Sequence, residues 1–271
     1  MNKAVLLGTT GIAIAGAMLA AGFQAGRTPA TDSMTVSQIA TTAAAGHLDR
    51  KEVETIVREY LLANPEILYD VQQALEEKKQ EEQRVAHLSV IKEAKSEIFH
   101  SAYDGVVGNP NGKVTIVEFY DYNCGYCKRA QQDMLALTKA DPDLRFVLKE
   151  FPILGPDSQK AHVVSMAFRA LEPEKYAEFH NQLLGGKGHA DEAAAIKIAL
   201  SLGVDEAKLR EEMKNPAIKQ AFAETYDLAN KLSISGTPSY VVGNEVVFGA
   251  LGKDALAEKI TDAKACLDAG C

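Results

Sequence analysis

The feature that most constrains this chain is the stretch from Val114 to Lys128, which reads V-T-I-V-E-F-Y-D-Y-N-C-G-Y-C-K. Six of its first seven residues are β-branched, aromatic or apolar, which is typical of a buried strand. A polar turn follows, and then Cys124-Gly125-Tyr126-Cys127 begins a segment with helical character. A sulfur at a helix N-terminus faces unpaired backbone N–H groups and the positive end of the helix dipole, which stabilise its thiolate. This order therefore predicts thiol–disulfide exchange, in which Cys124 attacks and Cys127 resolves the mixed disulfide.

A Cys-x-x-Cys pair can also be half of a zinc site or an inert structural disulfide. A zinc site needs a second pair of Cys or His ligands at short spacing. The other two cysteines, Cys266 and Cys271, are five positions apart, and the six histidines include no H-x(3–5)-H pair. The pattern therefore favours redox chemistry, and neither a metal site nor a cofactor is predicted.

Composition restricts the partners and the compartment. The chain has 271 residues, 46% of them hydrophobic, which suits a soluble protein with one good core. Its net charge is −8 and its pI is near 5.4, which argues against a nucleic-acid partner.

The N-terminus has the form of an export signal. Lys3 is the one charged residue before an apolar run from Ala4 to Phe23, so we expect residues 1–25 to be a signal peptide. The alternative is an uncleaved membrane anchor, because about 20 apolar residues can span a bilayer. In either case the rest of the chain leaves the cytoplasm, and an oxidising compartment is where disulfide chemistry on other proteins is useful.

Two segments are predicted between the signal and the central strand. Residues 26–47 are small and polar and are expected to form a flexible linker. Residues 48–100 are expected to be helical: Asp49 can cap a first helix, Asn64-Pro65 should interrupt it, and a second helix should run to about Phe99. Apolar residues recur at helical spacing on both helices. They are Val53, Ile56, Val57, Tyr60, Leu61, Leu68, Val71, Leu75, Leu88, Ile91 and Ile98.

Two interpretations of this stripe stay open. The helices can dock on their own domain, or they can pair with copies of themselves, in which case the charged stretch Glu76 to Arg84 spaces the assembly from the catalytic domain.

Residues 105–268 are predicted to form an α/β catalytic domain. Gly105 to Gly112 is interpreted as a turn cluster, and Leu144 to Leu148 as a second strand that runs parallel to the first. A helical block is expected at about 157–232. Gly243-Asn244 lies between two alternating apolar runs and predicts a hairpin, and a final helix is expected from Lys253 to Leu267.

The motifs E-F-Y-D-Y-N-C-G-Y-C-K, K-E-F-P-I-L-G-P-D-S and S-G-T-P-S-Y-V-V, in this order, resemble the DsbA family of thioredoxin-fold oxidoreductases. The resemblance spans Asn109 to about Leu267. It implies that Pro238 is in a cis peptide beside the sulfurs, and that Glu118 is a buried acid able to accept or relay the proton of Cys127. Lys149 could neutralise this acid. Substrate contacts are implied for Gly125, Tyr126, Thr237 and Pro238.

Within that family, Gly-Tyr between the cysteines and Thr before the proline resemble the disulfide isomerases. The helical N-terminal segment resembles the suppressor-of-copper-sensitivity protein C (ScsC) subfamily, which implies a homo-oligomer, with a trimer favoured. The implied substrates are misfolded or disulfide-containing exported proteins in the periplasm, and the implied electron donor is a DsbD-like membrane thiol reductase. One alternative is a monomeric DsbA-like dithiol oxidase served by a DsbB-like oxidant. Another is a copper-binding or holdase protein on the same fold.

Cys266 and Cys271 lie at the C-terminal end of the chain, beyond these motifs. Asp268-Ala269-Gly270 between them can turn the chain back, so we expect a small structural disulfide. A flexible auxiliary thiol pair is the alternative.

Overall fold

The computed structural model describes residues 49–269. The predicted signal (1–25), the predicted linker (26–47) and Cys271 lie outside the described residues. The chain divides into two compact units, one ending at Asn64 and the other beginning at Pro65. Within the described range, no helix is both long enough and apolar enough to cross a bilayer.

The described part of the first unit is one helix, α1 (Arg50–Ala63). The Asp49 carboxylate accepts a hydrogen bond from the Glu52 backbone N–H, and the Glu52 side chain accepts one from the Asp49 backbone N–H. This reciprocal capping box satisfies two of the N–H groups that a helix start leaves unpaired. The helix ends just before Asn64-Pro65, where the sequence predicts the interruption.

The second unit begins with α2 (Glu66–Glu93) and α3 (Lys95–Phe99). The helix predicted to run without a break to Phe99 is therefore divided at Ala94. Glu76 to Arg84 is exposed throughout, whereas Ile91 and Ile98 are buried against the sheet. This end of the apolar stripe is thus part of the core of the second unit, and the boundary between the compact units lies earlier than the predicted one near residue 100.

A five-stranded mixed sheet lies at the centre of the second unit, in the order β1-β3-β2-β4-β5. Its strands are β1 (Gly105–Gly108), β2 (Val114–Tyr120), β3 (Leu144–Glu150), β4 (Ser239–Val242) and β5 (Glu245–Phe248). The central pair β2 and β3 is parallel and is joined by α4 (Gly125–Ala140), as predicted. The predicted hairpin is also present, since β4 and β5 are antiparallel.

The structure corrects one prediction for the sheet. Residues Gly105–Gly108, interpreted from sequence as part of a turn cluster, form an edge strand antiparallel to β3. Val107 is buried there and pairs with Phe146. A Cβ atom on Gly105 would overlap the ring of Tyr176, so this glycine permits the close approach of a helix that follows much later in the chain.

Helices cover both faces of the sheet. Those after β3 are α5 (Pro156–Leu171), α6 (Tyr176–Leu184), α7 (Glu192–Ser201), α8 (Glu206–Glu212), α9 (Pro216–Lys231) and, after the hairpin, α10 (Lys253–Ala269). Helices α5 to α9 occupy the predicted helical block. Side chains of β2 alternate between the faces: Ile116 and Tyr120 join the larger apolar cluster, and Val117 and Phe119 join the smaller one.

Candidate active site

The two central cysteines lie where β2 ends and α4 begins. Cys124 is the N-cap residue of α4, and its sulfur accepts a hydrogen bond from the Cys127 backbone N–H at 3.5 Å. Cys124 is 6% exposed and Cys127 is fully buried. Both are free thiols. Only the first sulfur is therefore placed to meet a partner protein, which is the asymmetry expected between an attacking and a resolving cysteine.

The surroundings separate the acidities of the two thiols. Hydrogen bonding from the Cys127 thiol, aided by the backbone N–H groups of Cys127 and Tyr126, outweighs burial and lowers the pKa of Cys124 to about 5. Burial, the hydrogen bond to Cys124 and the negative charge of Glu118 raise the pKa of Cys127 far above its ordinary value. At neutral pH, Cys124 is a thiolate and Cys127 keeps its proton.

Glu118 lies on β2 and is almost completely buried. Burial, and then the negative charge at Cys124, raises the pKa of Glu118 to about 8. Tyr240 pairs with Glu118 across β2 and β4, and its pKa is also raised, by burial and by the charge of Glu118. A carboxyl group with a pKa near the working pH can take a proton at one step and return it at another.

Lys149 does not neutralise Glu118, contrary to the expectation from sequence. In the parallel register Glu118 lies opposite Leu148, so Lys149 projects from the other face of the sheet. There its ammonium group donates to Asp104 at 2.6 Å and to the backbone carbonyl of Glu97. The ammonium group of Lys149 is therefore not placed to lower the pKa of Glu118, which burial keeps raised.

The Thr237–Pro238 peptide is cis, as the resemblance implies, and lies directly beside the nucleophile. In its thiol form Cys124 donates to the Thr237 carbonyl oxygen at 3.1 Å. Pro238 is buried, and Ser239 begins β4 and pairs with Phe119. The tertiary fold thus brings together two motifs that are more than a hundred residues apart in the chain.

The dipeptide between the cysteines is open to solvent. A Cβ atom on Gly125 would meet nothing within 4 Å, so no neighbour demands a glycine there and its surroundings are open. Tyr126 is 59% exposed, and the guanidinium of Arg129 lies 4.3 Å from its ring centre. An exposed aromatic ring next to the reactive sulfur is a suitable contact for a substrate chain.

Sequence reasoning missed Asp121, which ties the cysteine turn to the loop after β3. Its carboxylate accepts hydrogen bonds from the backbone N–H groups of Ile153 and Leu154, both at 2.9 Å. It also accepts from the Ser158 hydroxyl and from the Asn123 backbone N–H, each at 2.8 Å. The motif F-P-I-L-G-P-D-S thus forms a second wall of the site. The polar residues of this motif were the sequence signal that could have indicated its contact with the cysteine turn.

A second missed element is a buried polar network below the cysteine turn. The Nε2 atom of His162 accepts a hydrogen bond from the Tyr122 backbone N–H at 3.2 Å, so this nitrogen carries no proton. The Nδ1–H group of His162 donates to Glu150, which also accepts from Ser165 at 2.7 Å and Tyr176 at 3.2 Å. Burial alone would raise the pKa of Glu150, but the interaction with His162 and these hydrogen bonds lower it. Glu150 is therefore a buried carboxylate whose negative charge is stabilised by the groups that donate hydrogen bonds to it.

The last two predicted site residues are remote from the active site in sequence. Cys266, on α10, is disulfide-bonded. Its predicted partner, Cys271, lies outside the described residues, so this pairing stays a prediction.

Comparison with known proteins identifies the family. Residues 115–261 match the model of the DSBA-like thioredoxin domain. The chain belongs to the DsbA-like thioredoxin family. Residues 49–82 match the N-terminal domain of the copper resistance protein ScsC. The fold is therefore a thioredoxin-like DsbA domain preceded by an ScsC-type helical segment.

Solved structures agree with this assignment. A thioredoxin-like oxidoreductase from Silicibacter pomeroyi DSS-3 is 38% identical, with a TM-score of 0.59 over 63% of this chain and 97% of that one. A linker-deletion and point mutant of ScsC from Proteus mirabilis is 26% identical, with a TM-score of 0.62 over 83% of this chain and 99% of that one.

One curated relative is much longer than the matched region. The Na(+)/H(+) antiporter NhaA 1 of Salinispora arenicola is 28% identical over 160 residues, which are 59% of this chain. The chain spans about a quarter (24%) of that relative's length.

Proposed function

We propose that this DsbA-like chain is a periplasmic thiol–disulfide oxidoreductase that works as an oligomeric disulfide isomerase or reductase. The observation that carries the chemistry is Cys124, an N-cap thiol with a pKa near 5 beside a buried resolving cysteine. The family match and the predicted export signal support the compartment. Disulfide-containing exported proteins are the proposed substrates.

The reaction begins when the Cys124 thiolate attacks a substrate disulfide. A Cys124–substrate disulfide forms and one substrate sulfur leaves as a thiolate. In isomerisation that thiolate attacks another disulfide of the same substrate, and the chain ends when a substrate thiolate displaces Cys124. In reduction, Cys127 passes its proton to Glu118 and attacks the Cys124 sulfur, which closes the Cys124–Cys127 disulfide and releases the second substrate thiolate.

Turnover as a reductase needs a source of electrons, because each cycle closes the Cys124–Cys127 disulfide, which must be reduced again. Isomerisation returns the Cys124 thiolate and needs electrons only when the two cysteines have become oxidised. A DsbD-like membrane thiol reductase is the proposed donor, since an isomerase has to keep its thiols reduced. Glu118 would return the proton to Cys127 as that disulfide opens.

The exposed apolar face of α1 supports oligomerisation. Val57 is 50% exposed and Tyr60 is 58% exposed, and no residue of α1 is buried. Leu68 and Leu75 are exposed in the same way at the start of α2. Apolar residues repeated at helical spacing and left in water are stabilised when copies of the chain pack them together. We name Val53, Ile56, Val57, Tyr60 and Leu61 the α1 stripe, and a trimer remains the favoured assembly.

A pair of single substitutions on α1 tests the proposal. Val57→Glu puts a charge into the α1 stripe, whereas Thr55→Glu puts the same charge about half a turn away on the same exposed helix. We expect Val57→Glu to give a monomer by light scattering and to lose rescue of a substrate with scrambled disulfides, and Thr55→Glu to behave as the parent. A monomeric Val57→Glu variant with full rescue, or one that stays oligomeric, would show that the oligomer argument is wrong.

A deletion of the N-terminal helix is a second test of the proposal. The deletion must leave in place the residues that pack in the core of the catalytic unit. Removal of residues up to Asn64 takes away only the first compact unit. Removal up to Phe99 would also take away Ile91 and Ile98, which pack on the sheet, and would destabilise the catalytic unit. Rescue should disappear after the shorter deletion, whereas oxidation of a reduced dithiol peptide should persist.

A DsbA-like dithiol oxidase is the second candidate. The low pKa of Cys124 favours it, because a stabilised thiolate makes the Cys124–Cys127 disulfide more oxidising. Strong oxidation of reduced substrate that is unchanged by Val57→Glu, together with weak rescue, would support this candidate and a DsbB-like oxidant. A holdase on the same fold would still suppress aggregation after Cys124→Ser.

A further inference from the structure

A cavity of about 780 Å³ opens in the second unit at the end of the sheet opposite the cysteines. Val114 and Thr115, which begin β2, line it together with residues of α2, α3 and α10. Cys124 follows the other end of β2, and a strand of seven residues spans roughly 20 Å. The cavity is therefore distinct from the active site, and its volume is in the range of small-molecule sites.

The floor of this cavity is apolar. Ile91, Val114 and Ala263 are 4%, 3% and 8% exposed, and Phe99 is half-buried beside them. They come from a helix on one face of the sheet, from the sheet itself and from a helix on the other face. Such a floor attracts a hydrocarbon chain because each buried methylene group is removed from water.

The charged side chains of the lining are all basic. Lys92, Lys95, Lys113 and Arg145 line the cavity, and none of the described lining residues is Asp or Glu. The whole chain carries a net charge of −8, so this local excess of cations runs against its composition. Across the described part of the chain, no carboxylate forms an ion pair with any of these four groups.

Arg145 is the most firmly held of these cations. It donates to the Thr115 hydroxyl at 2.8 Å, to the Phe99 carbonyl at 3.2 Å and to the Pro110 carbonyl at 3.4 Å. All three acceptors are neutral, so no negative charge offsets that of the guanidinium. Three of its five N–H donors are used, which leaves two for a ligand. A fixed, partly buried arginine with spare donors is suited to bind a carboxylate.

We propose that this cavity binds an amphiphile with one alkyl chain and one carboxylate head group, that is, a free long-chain carboxylate. The alkyl chain lies on Ile91, Val114 and Ala263, and the head group meets Arg145 and the lysines. The basic side chains and the apolar floor together select this ligand. A long-chain alcohol has no negative charge to pair with the basic side chains, and a short-chain acid has too little hydrocarbon to cover the floor.

Isothermal titration calorimetry of the full chain with a carboxylate series, below the micelle concentration, tests the proposal. Octanoate, decanoate and dodecanoate should bind progressively more tightly, by roughly 15-fold for each two methylene groups. Dodecanol, which has the same chain without the charge, should bind at least about tenfold more weakly than dodecanoate. Equal affinity for dodecanol and dodecanoate would overturn the proposal.

Matched substitutions locate the site. The double variant Lys92→Gln/Lys113→Gln removes two exposed cations of the cavity, and Lys208→Gln/Lys219→Gln removes two exposed lysines elsewhere. Only the first should weaken dodecanoate binding, by about tenfold or more. Arg145→Gln should weaken it further, and circular dichroism checks that this variant folds. Equal binding by the two double variants would overturn the proposal.

A vesicle-binding assay distinguishes a free carboxylate from a lipid surface as the ligand of the cavity. The chain without its predicted signal, residues 26–271, should not sediment with vesicles of anionic phospholipid at concentrations at which it binds dodecanoate. Sedimentation that depends on Lys92 and Lys113, without binding of free dodecanoate, would identify a membrane contact and overturn the proposal.

Discussion

Replacement of Glu118 by Gln should stabilise the reduced protein, and by an amount that grows with pH. The pKa of Glu118 is raised by burial from its ordinary value of 4.5 to about 8. Below pH 4.5 this side chain is neutral in both the folded and the unfolded state. Between pH 4.5 and 8 only the unfolded state gives up the proton, so the folded state loses stability as pH rises. A glutamine side chain at this position cannot ionise and avoids this loss.

The two pKa values set the size of the effect. The variant's gain in free energy of unfolding should be about 1 kcal/mol at pH 5, about 3 kcal/mol at pH 7 and about 4 kcal/mol at pH 8. Because Gln is nearly the same size as Glu, the substitution leaves the packing around Glu118 intact.

Urea unfolding of the reduced protein at these three pH values measures the gain. Glu258→Gln, on the exposed side of α10, is the matched control and should show no such trend. A gain for Glu118→Gln that is the same at pH 5 and pH 8 would refute the raised pKa, because a non-ionising cause has no reason to follow pH.

The same variant tests the proton-transfer role. In the parent, release of a trapped substrate by Cys127 should accelerate as pH rises to about 8, as Glu118 becomes an ionised base. Glu118→Gln should slow this step by about 100-fold and remove that acceleration. Stopped-flow measurement of the decay of the mixed disulfide compares the parent with the variant. An unchanged decay rate in Glu118→Gln would refute the proton-transfer role.

Three further predictions follow from the site. Cys127→Ser should accumulate the Cys124–substrate disulfide on non-reducing gels, and its absence would show that Cys124 is not the attacking thiol. The ultraviolet absorbance of the thiolate should titrate near pH 5 for Cys124; because its pKa is lowered from 9.0, the stability that it gives the reduced form is complete above pH 9 and is lost as pH falls through about 5. His162→Ala should destabilise the protein by about 3 to 5 kcal/mol, because Glu150 loses its buried donor, whereas the exposed His189→Ala should change urea stability little.

Cys266 shows what the spacing of cysteines can predict and what it cannot. The short interval to Cys271 predicts a bridge from sequence, and Cys266 is disulfide-bonded in the structure. The spacing cannot say that α10, which carries Cys266, also forms one side of the cationic cavity.

The sequence by itself determined the features that depend on neighbours along the chain. The buried strand before Cys124, the interruption at Asn64-Pro65 and the hairpin at Gly243-Asn244 are all present because each rests on backbone preferences within a few residues. The cis bond before Pro238 follows from the resemblance, and it is present too.

Only the tertiary structure decided the contacts between distant residues. The parallel register turns Lys149 away from Glu118, and a shift of one residue would have reversed this. Burial of the C-terminal end of the apolar stripe depends on the sheet that packs against it, since the same helical spacing suits a docked helix and an oligomer seam equally well. Apart from the bond that Asp121 accepts from the nearby Asn123 N–H, the hydrogen bonds of Asp121 and Glu150 join residues 12 to 37 positions apart, a range at which local preference carries no information.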